Sequence, residues 1–178
     1  AGEHAATAGL SECTQCVAGR FGASNGTSAC TKCEAGLYSG SAGQTACDDC
    51  GRGNFSNTSA ASTCFQCEDG MYLGVSGQTI CLECPVGQFR SGVGQTECTV
   101  CVAGQFQGLT GKTECSDCPA GEYTGLPGLS VCLDCPSGTI TASDGESVCV
   151  ECVAGEHAAT AGLSECTQCV AGRFGASN

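Results

Sequence analysis

The chain has 178 residues, a net charge of −12, 20 cysteines and no tryptophan. Eighteen acidic residues against six lysines and arginines exclude the basic surface that nucleic acid binding requires. Cysteine at this density indicates that covalent or metal cross-links replace an ordinary apolar core. No apolar run approaches the roughly 18 residues of a membrane span, so we expect no membrane insertion by this segment.

A repeat of 17 residues runs through the sequence from its first cysteine pair to its last. The cysteines form Cys-x-x-Cys pairs whose first members recur at this constant step. Those first members are Cys13, Cys30, Cys47, Cys64, Cys81, Cys98, Cys115, Cys132, Cys149 and Cys166. A glycine follows each second cysteine by three residues, and an aromatic residue usually comes two positions later. Because loops normally tolerate insertions, the constant length predicts that something fixes every repeat in the same way.

Residues 1–25 are identical to residues 154–178, 153 positions further on, and 153 is nine times 17. We predict the end of a preceding repeat at 1–12, nine repeats at 13–165 and the start of the next repeat at 166–178. This organisation favours an array of 153-residue blocks within a longer protein. A single recent local duplication is the alternative.

Each repeat is expected to fold as a small disulfide-rich β-hairpin. Its two recurring glycines indicate points of positive φ, and no helical periodicity is present. Segments such as 88–90 and 95–97 could pair antiparallel within a repeat. The predicted fold class is therefore short hairpins and loops without helices, stacked as tandem repeats in an elongated solenoid or rod.

Three cysteine pairings are compatible with this spacing. Bonds could form within each pair, between whole pairs, or from the second cysteine of one pair to the first cysteine of the next. Pairing between whole pairs groups repeats in twos, which fits poorly with nine, so we favour the third arrangement. It predicts the disulfides Cys16–Cys30, Cys33–Cys47, Cys50–Cys64, Cys67–Cys81, Cys84–Cys98, Cys101–Cys115, Cys118–Cys132, Cys135–Cys149 and Cys152–Cys166. Cys13 and Cys169 would then have partners outside the visible chain.

Metal binding is the alternative use of these cysteines. The spacing is close to that of a zinc ribbon, although four ligands per zinc would again group repeats in twos. His4 and His157 replace the aromatic residue of their repeats, which favours packing over metal ligation or catalysis. Carboxylates near the cysteine pairs, such as Asp48, Asp49 and Glu83, could bind Ca²⁺ weakly, but a solvated acidic face is the simpler interpretation. No cofactor is otherwise predicted.

Three Asn-x-Ser/Thr motifs, at Asn25, Asn54 and Asn57, predict N-linked glycans if the chain is secreted. Asn54 and Asn57 are close enough in sequence for one glycan to exclude the other, and Asn178 would begin a fourth motif if the block repeats. No nucleophile constellation or phosphate-binding loop is found in the sequence, so we expect no enzymatic activity.

Two segments resemble the ephrin-receptor-like cysteine-rich repeat. One is Cys84-Pro-Val-Gly-Gln-Phe followed by Gly94-Gln-Thr-Glu-Cys98, and the other is Cys118-Pro-Ala-Gly-Glu-Tyr. The resemblance implies an extracellular, disulfide-bonded and non-enzymatic repeat, with Cys84 paired to Cys98 and Phe89 packed over that bond. Repeats of this kind occur in receptor ectodomains and in large surface proteins of algae and protists, including mastigoneme proteins.

From these observations we expect a structural segment of an extracellular filament or rod that is glycosylated and assembles with copies of itself. The alternative is a ligand-binding receptor stalk or a protist surface-coat antigen.

Overall fold

The computed structural model of the protein describes residues 1–9 and 12–170. These residues form two compact units. The first contains Ala1–Glu83 and Gly92–Cys98, and the second contains Cys84–Ser91 and the chain from Thr99 onwards. Gly172, Phe174 and Asn178, which continue the sequence pattern, lie outside the described residues. Both units are built from the same small hairpin.

The described residues contain 20 strands of two residues each, and consecutive strands pair into ten antiparallel ribbons. The strands are β1 (Glu3–His4), β2 (Thr14–Gln15), β3 (Arg20–Phe21), β4 (Thr31–Lys32), β5 (Leu37–Tyr38), β6 (Asp48–Asp49), β7 (Asn54–Phe55), β8 (Phe65–Gln66), β9 (Met71–Tyr72), β10 (Leu82–Glu83), β11 (Gln88–Phe89), β12 (Thr99–Val100), β13 (Gln105–Phe106), β14 (Ser116–Asp117), β15 (Glu122–Tyr123), β16 (Leu133–Asp134), β17 (Thr139–Ile140), β18 (Val150–Glu151), β19 (Glu156–His157) and β20 (Thr167–Gln168). Within the described residues every regular element is a strand, which confirms the prediction of short hairpins without helices.

The return strand of each hairpin lies between the two cysteines of the next pair. In the ribbon formed by β11 and β12, Phe89 is opposite Thr99 and Gln88 is opposite Val100. The predicted pairing of 88–90 with 95–97 is therefore wrong. The carbonyl of Gln95 instead accepts a hydrogen bond of 2.9 Å from the backbone N–H of Leu73, one repeat earlier. The segment before each cysteine pair is used to join repeats and is not available to close its own hairpin.

Backbone hydrogen bonds link successive repeats at a constant sequence offset. The N–H of Gly19 donates to the carbonyl of Ser39 at 2.8 Å in the first unit. In the second unit the N–H of Gly121 donates to the carbonyl of Thr141 at 3.0 Å, across the same offset. A lone two-stranded ribbon is marginal in water. These bonds supply each hairpin with a neighbour and satisfy backbone groups that would otherwise be buried without partners.

The interior of each repeat consists of sulfur, backbone and small side chains. The largest fully buried side chains are those of Cys16, Cys33, Cys50, Cys67, Cys84, Cys101, Cys118, Cys135, Ser39, Ser56, Thr124 and Thr141. The aromatic rings are only half-buried, and many aliphatic side chains are largely exposed, for example Ile80 and Val148 at 64% and 62%. Cross-links and backbone hydrogen bonds therefore take the place that an apolar core has in most domains. The described residues include no helix long and apolar enough to cross a membrane.

Candidate functional site

The disulfides are the chemical feature that every repeat shares. They join the second cysteine of one pair to the first cysteine of the next, across 14 residues and with Cα atoms 5.6–5.8 Å apart. The bonds are Cys16–Cys30, Cys33–Cys47, Cys50–Cys64, Cys67–Cys81, Cys101–Cys115, Cys118–Cys132, Cys135–Cys149 and Cys152–Cys166. Cys84 and Cys98 are disulfide-bonded as well, whereas Cys13 and Cys169 are free thiols. The bonded cysteines have no thiolate to offer zinc.

Local backbone geometry brings the sulfurs of each bond together. In the second unit the N–H of Cys101 donates to the carbonyl of Gly87 at 2.9 Å, and the N–H of Gly128 donates to the carbonyl of Cys101 at 2.8 Å. Cys101 is fully buried, and its backbone is hydrogen-bonded on both sides by these neighbours. Hydrogen bonds to the backbone of these glycines thus help to hold the second cysteine in place, in addition to its disulfide.

The first glycine of a repeat also lies against the backbone of the repeat two places further along the chain. A Cβ added at Gly87 would lie 2.0 Å from the carbonyl oxygen of Gly128, and the φ of Gly87 is +75°. In the first unit the same relation holds between Gly19 and Ala60, with 2.1 Å to the carbonyl oxygen. Both the conformation and the close approach require glycine at this position. Repeats with this contact therefore interlock with two successors and not only with one.

The aromatic side chain of one repeat lies beside the disulfide of the next. Phe21 lines a hollow together with Ala46 and Cys47, and Phe55 lines an equivalent hollow with Cys81. Cys47 and Cys81 belong to the bonds that close the following loops. The place of Phe89 over Cys84 and Cys98, which the resemblance implies, stays a prediction.

His4 occupies this aromatic position next to Cys16–Cys30. Its Nδ1 lies 3.2 Å from the Sγ of Cys30 and 3.1 Å from the carbonyl oxygen of Thr14. Since a carbonyl only accepts, the contact with Thr14 places a proton on Nδ1. The guanidinium of Arg20 donates to the carbonyl of Cys30 at 3.0 Å, so a cationic side chain lines the same hollow as the His4 ring.

His4 also belongs to the single group of three convergent metal-binding side chains that the described residues contain. Its ring nitrogen and the sulfurs of Cys16 and Cys30 all lie within 4.8 Å of one another. Because the two sulfurs are bonded to each other, this arrangement does not provide a metal centre in the oxidised protein.

Two carboxylates serve as hydrogen-bond acceptors within the fold. Asp117 accepts from the side-chain amide of Gln105 at 2.8 Å, and Asp144 accepts from the backbone N–H of Ala120 at 2.9 Å. Weak Ca²⁺ binding stays a prediction.

The three glycosylation motifs have different surroundings. Asn25 is exposed in the turn before Gly26, and its side-chain oxygen accepts a hydrogen bond from the amine of Ala1. Asn57 is also exposed. Asn54 is half-buried in β7, and its side-chain nitrogen, the atom that carries an N-linked glycan, donates to the carbonyl of Arg52 at 3.1 Å. The folded surroundings favour Asn25 and Asn57 over Asn54.

Sequence reasoning missed the buried hydroxyl in four repeats, which follows an aromatic residue in three of them and Ile140 in the fourth. Thr124 and Thr141 are buried, and their hydroxyl oxygens accept hydrogen bonds of 2.8 Å from the N–H groups of Gly104 and Gly121. Ser39 and Ser56 occupy the same place in the first unit. Small polar residues at a fixed step after the aromatic residue were the available signal. Arg20 beside Cys30 was also missed, because nothing in its own repeat indicates that contact.

The fold and its bonds define a cysteine-rich tandem-repeat protein of the extracellular, disulfide-bonded type. The family described as tyrosine-protein kinase ephrin type A/B receptor-like matches residues 19–63, 53–94, 87–130 and 104–147. These overlapping matches cover most of the chain, which belongs to the ephrin-receptor-like family, as the resemblance predicted. Comparison with curated proteins gives no significant match. Repeats of this family are not catalytic, and the chain is accordingly an extracellular structural or receptor-like segment.

Proposed function

We propose that the chain is a structural segment of an extracellular filament or rod that assembles from copies of itself. The main support is the recurrence of one backbone hydrogen-bond pattern at a 17-residue step in both units, as in Gly19 to Ser39 and Gly121 to Thr141. Repeats that contact their successors through the same groups can be added one after another, as in other repeat proteins. Disulfides keep such an array in one conformation outside the cell.

The exposed aliphatic side chains supply surfaces for contact between copies. Two pairs of such side chains each flank a cysteine. Ile80 and Leu82 lie in the first unit, Val148 and Val150 lie in the second, and all four are at least half exposed. With a net charge of −12, copies of the chain repel one another over most of their surface. Association must therefore use the uncharged parts of the repeats, and identical copies would offer identical contacts.

The filament proposal predicts that the secreted, oxidised protein associates as its concentration is raised. We expect sedimentation to show a rising average mass, and negative-stain images to show fibres with a regular axial repeat. The variant Ile80→Ser/Leu82→Ser should associate less than the control Val17→Ser, which removes an equally exposed apolar side chain outside these groups. Isolated compact particles at every concentration would contradict the proposal.

A binding module, either a receptor stalk or a surface-coat antigen, is the second candidate. Phe55 and Phe65 have ring centroids 6.0 Å apart and line one hollow with Met71 and Ile80. An exposed aromatic pair of this kind is a common anchor in protein recognition. A monomer that does not associate but captures a soluble protein partner, and loses it on Phe65→Ser, would favour this candidate over the filament.

We also propose that N-linked glycans occupy Asn25 and Asn57 but not Asn54. Protein secreted from a eukaryotic host would be treated with a glycosidase in ¹⁸O-water, which marks each formerly glycosylated asparagine as labelled aspartate. We expect the label at Asn25 and Asn57, because both are exposed whereas the Asn54 nitrogen is hydrogen-bonded. An intact mass equal to that of the polypeptide, or labelling at Asn54 alone, would refute the assignment.

A further inference from the structure

We infer that Cys16–Cys30 is a thiol-exchange site, at which an external dithiol reduces this disulfide before the other disulfides of the described chain. Two observations carry this inference. The ring of His4 takes the place that phenylalanine and tyrosine have in most other repeats, with its Nδ1 3.2 Å from the Sγ of Cys30. The guanidinium of Arg20 donates to the backbone of the same cysteine at 3.0 Å.

The surroundings of this bond favour the thiolate that exchange releases. A leaving sulfur departs faster when nearby positive charge or a hydrogen-bond donor stabilises it as a thiolate. The single Nδ1–H of His4 is shared between the carbonyl of Thr14 and the sulfur of Cys30, and Arg20 adds a permanent positive charge to the same hollow. Few cations are available elsewhere in a chain with six lysines and arginines.

The disulfide of the following repeat has different surroundings. Cys33–Cys47 is bordered by the ring of Phe21, which carries no hydrogen-bond donor, at the place where Cys16–Cys30 has His4. Lys32 and Glu34 line the same hollow, so it holds one charge of each sign, whereas the hollow beside Cys30 is lined by Arg20 without an acidic residue. The two neighbouring bonds therefore differ in the groups that line their hollows.

The exchange can be written with all atoms and electrons accounted for. One thiolate of a dithiol attacks the Sγ of Cys30, which is the more accessible sulfur because Cys16 is fully buried. The S–S electron pair passes to Cys16, whose sulfur lies within 4.8 Å of the His4 nitrogen, and the thiolate formed is then protonated from water. The second thiol of the reductant attacks the mixed disulfide and releases Cys30 beside the same N–H. The dithiol leaves as a cyclic disulfide, and Cys16 and Cys30 are reduced.

Opening this bond would release the loop from Cys16 to Cys30 while the neighbouring loops stay closed. His157 stands at the equivalent sequence position 153 residues later, and its Nδ1 lies 3.9 Å from the Sγ of Cys169, the counterpart of Cys16, which is a free thiol.

The test is a time course of reduction by limiting dithiothreitol in the Cys13→Ser/Cys169→Ser protein, which has no free thiol to start internal exchange. Samples are quenched with acid, alkylated and mapped by mass spectrometry. We expect Cys16 and Cys30 to be labelled about tenfold faster than Cys33 and Cys47. Equal or slower labelling would overturn the inference.

Two variants separate the role of histidine from simple opening at the end of the chain. His4→Phe restores the residue type of the other repeats, so the fold should persist, and we expect it to remove the rate advantage of Cys16–Cys30. Phe21→His should transfer part of that advantage to Cys33–Cys47. If His4→Phe leaves the rate unchanged, exchange reflects local opening of the chain and the inference is wrong.

Discussion

Replacing Gly87 by alanine is expected to cost about 3 kcal/mol or more in the free energy of unfolding of the second unit. The added Cβ would lie 2.0 Å from the carbonyl oxygen of Gly128, and the backbone of Gly87 has a φ of +75°. The clash involves backbone atoms on both sides, so no side-chain rotation can relieve it. Urea denaturation, followed by hydrogen exchange within residues 99–170, measures the effect.

Gly145→Ala is the control for this change. Gly145 lies in the same unit with a φ of +79°, but the nearest atom to a Cβ there would be in the exposed side chain of Asp117, at 3.4 Å. Only the conformational cost of about 1–2 kcal/mol should remain. Equal losses from Gly87→Ala and Gly145→Ala would show that the interlock between repeats does not contribute to stability.

Removing one disulfide should destabilise its own loop strongly while distant repeats stay folded. Cys118→Ser/Cys132→Ser opens a loop with a sequence separation of 14, and cross-linking a loop of about 15 residues contributes about 3 kcal/mol through the unfolded chain. Since repeats contact mainly their sequence neighbours, the loss should be local. Hydrogen exchange should therefore speed up around Tyr123 and Leu133 and remain slow in the first unit.

The free thiol at Cys13 provides the control for this experiment. Cys13 is exposed and unbonded in the described structure, so Cys13→Ser should leave hydrogen exchange unchanged. Global unfolding of both units by Cys118→Ser/Cys132→Ser would contradict the view that the repeats are stabilised locally.

The class of fold and the family could be predicted because they depend on spacing. The 17-residue step and the two glycines predicted short hairpins in tandem, and the opening Cys84-Pro-Val-Gly-Gln-Phe predicted the ephrin-receptor-like family. Both predictions are confirmed. These features lie within single repeats, so the sequence of one repeat is enough to predict its fold and family.

Contacts between repeats could not be predicted in this way. The return strand was wrongly assigned to Gln95, because its bond to Leu73 depends on how one repeat lies against another. The approach of Gly87 to Gly128 spans two repeats and depends on the rotation between them. A regular sequence period shows that this rotation is constant, but it does not give its value.

The surroundings of Cys16–Cys30 illustrate the same limit. His4 stood out in the sequence, since it replaces an aromatic residue, and packing was the expected role. Its contact with Cys30 and the approach of Arg20 both require the neighbouring repeat to be in place. Contacts between a side chain and the following repeat can thus be identified only from the structure, in which both repeats are in place.

The most direct test of the account is hydrogen exchange on the fully oxidised protein and on protein reduced and alkylated under otherwise native conditions. Disulfides and the backbone bonds they position stabilise the fold, because the buried residues are mainly cysteines and small side chains. We expect reduction to remove amide protection throughout residues 12–170. Protection that survives complete reduction would contradict it.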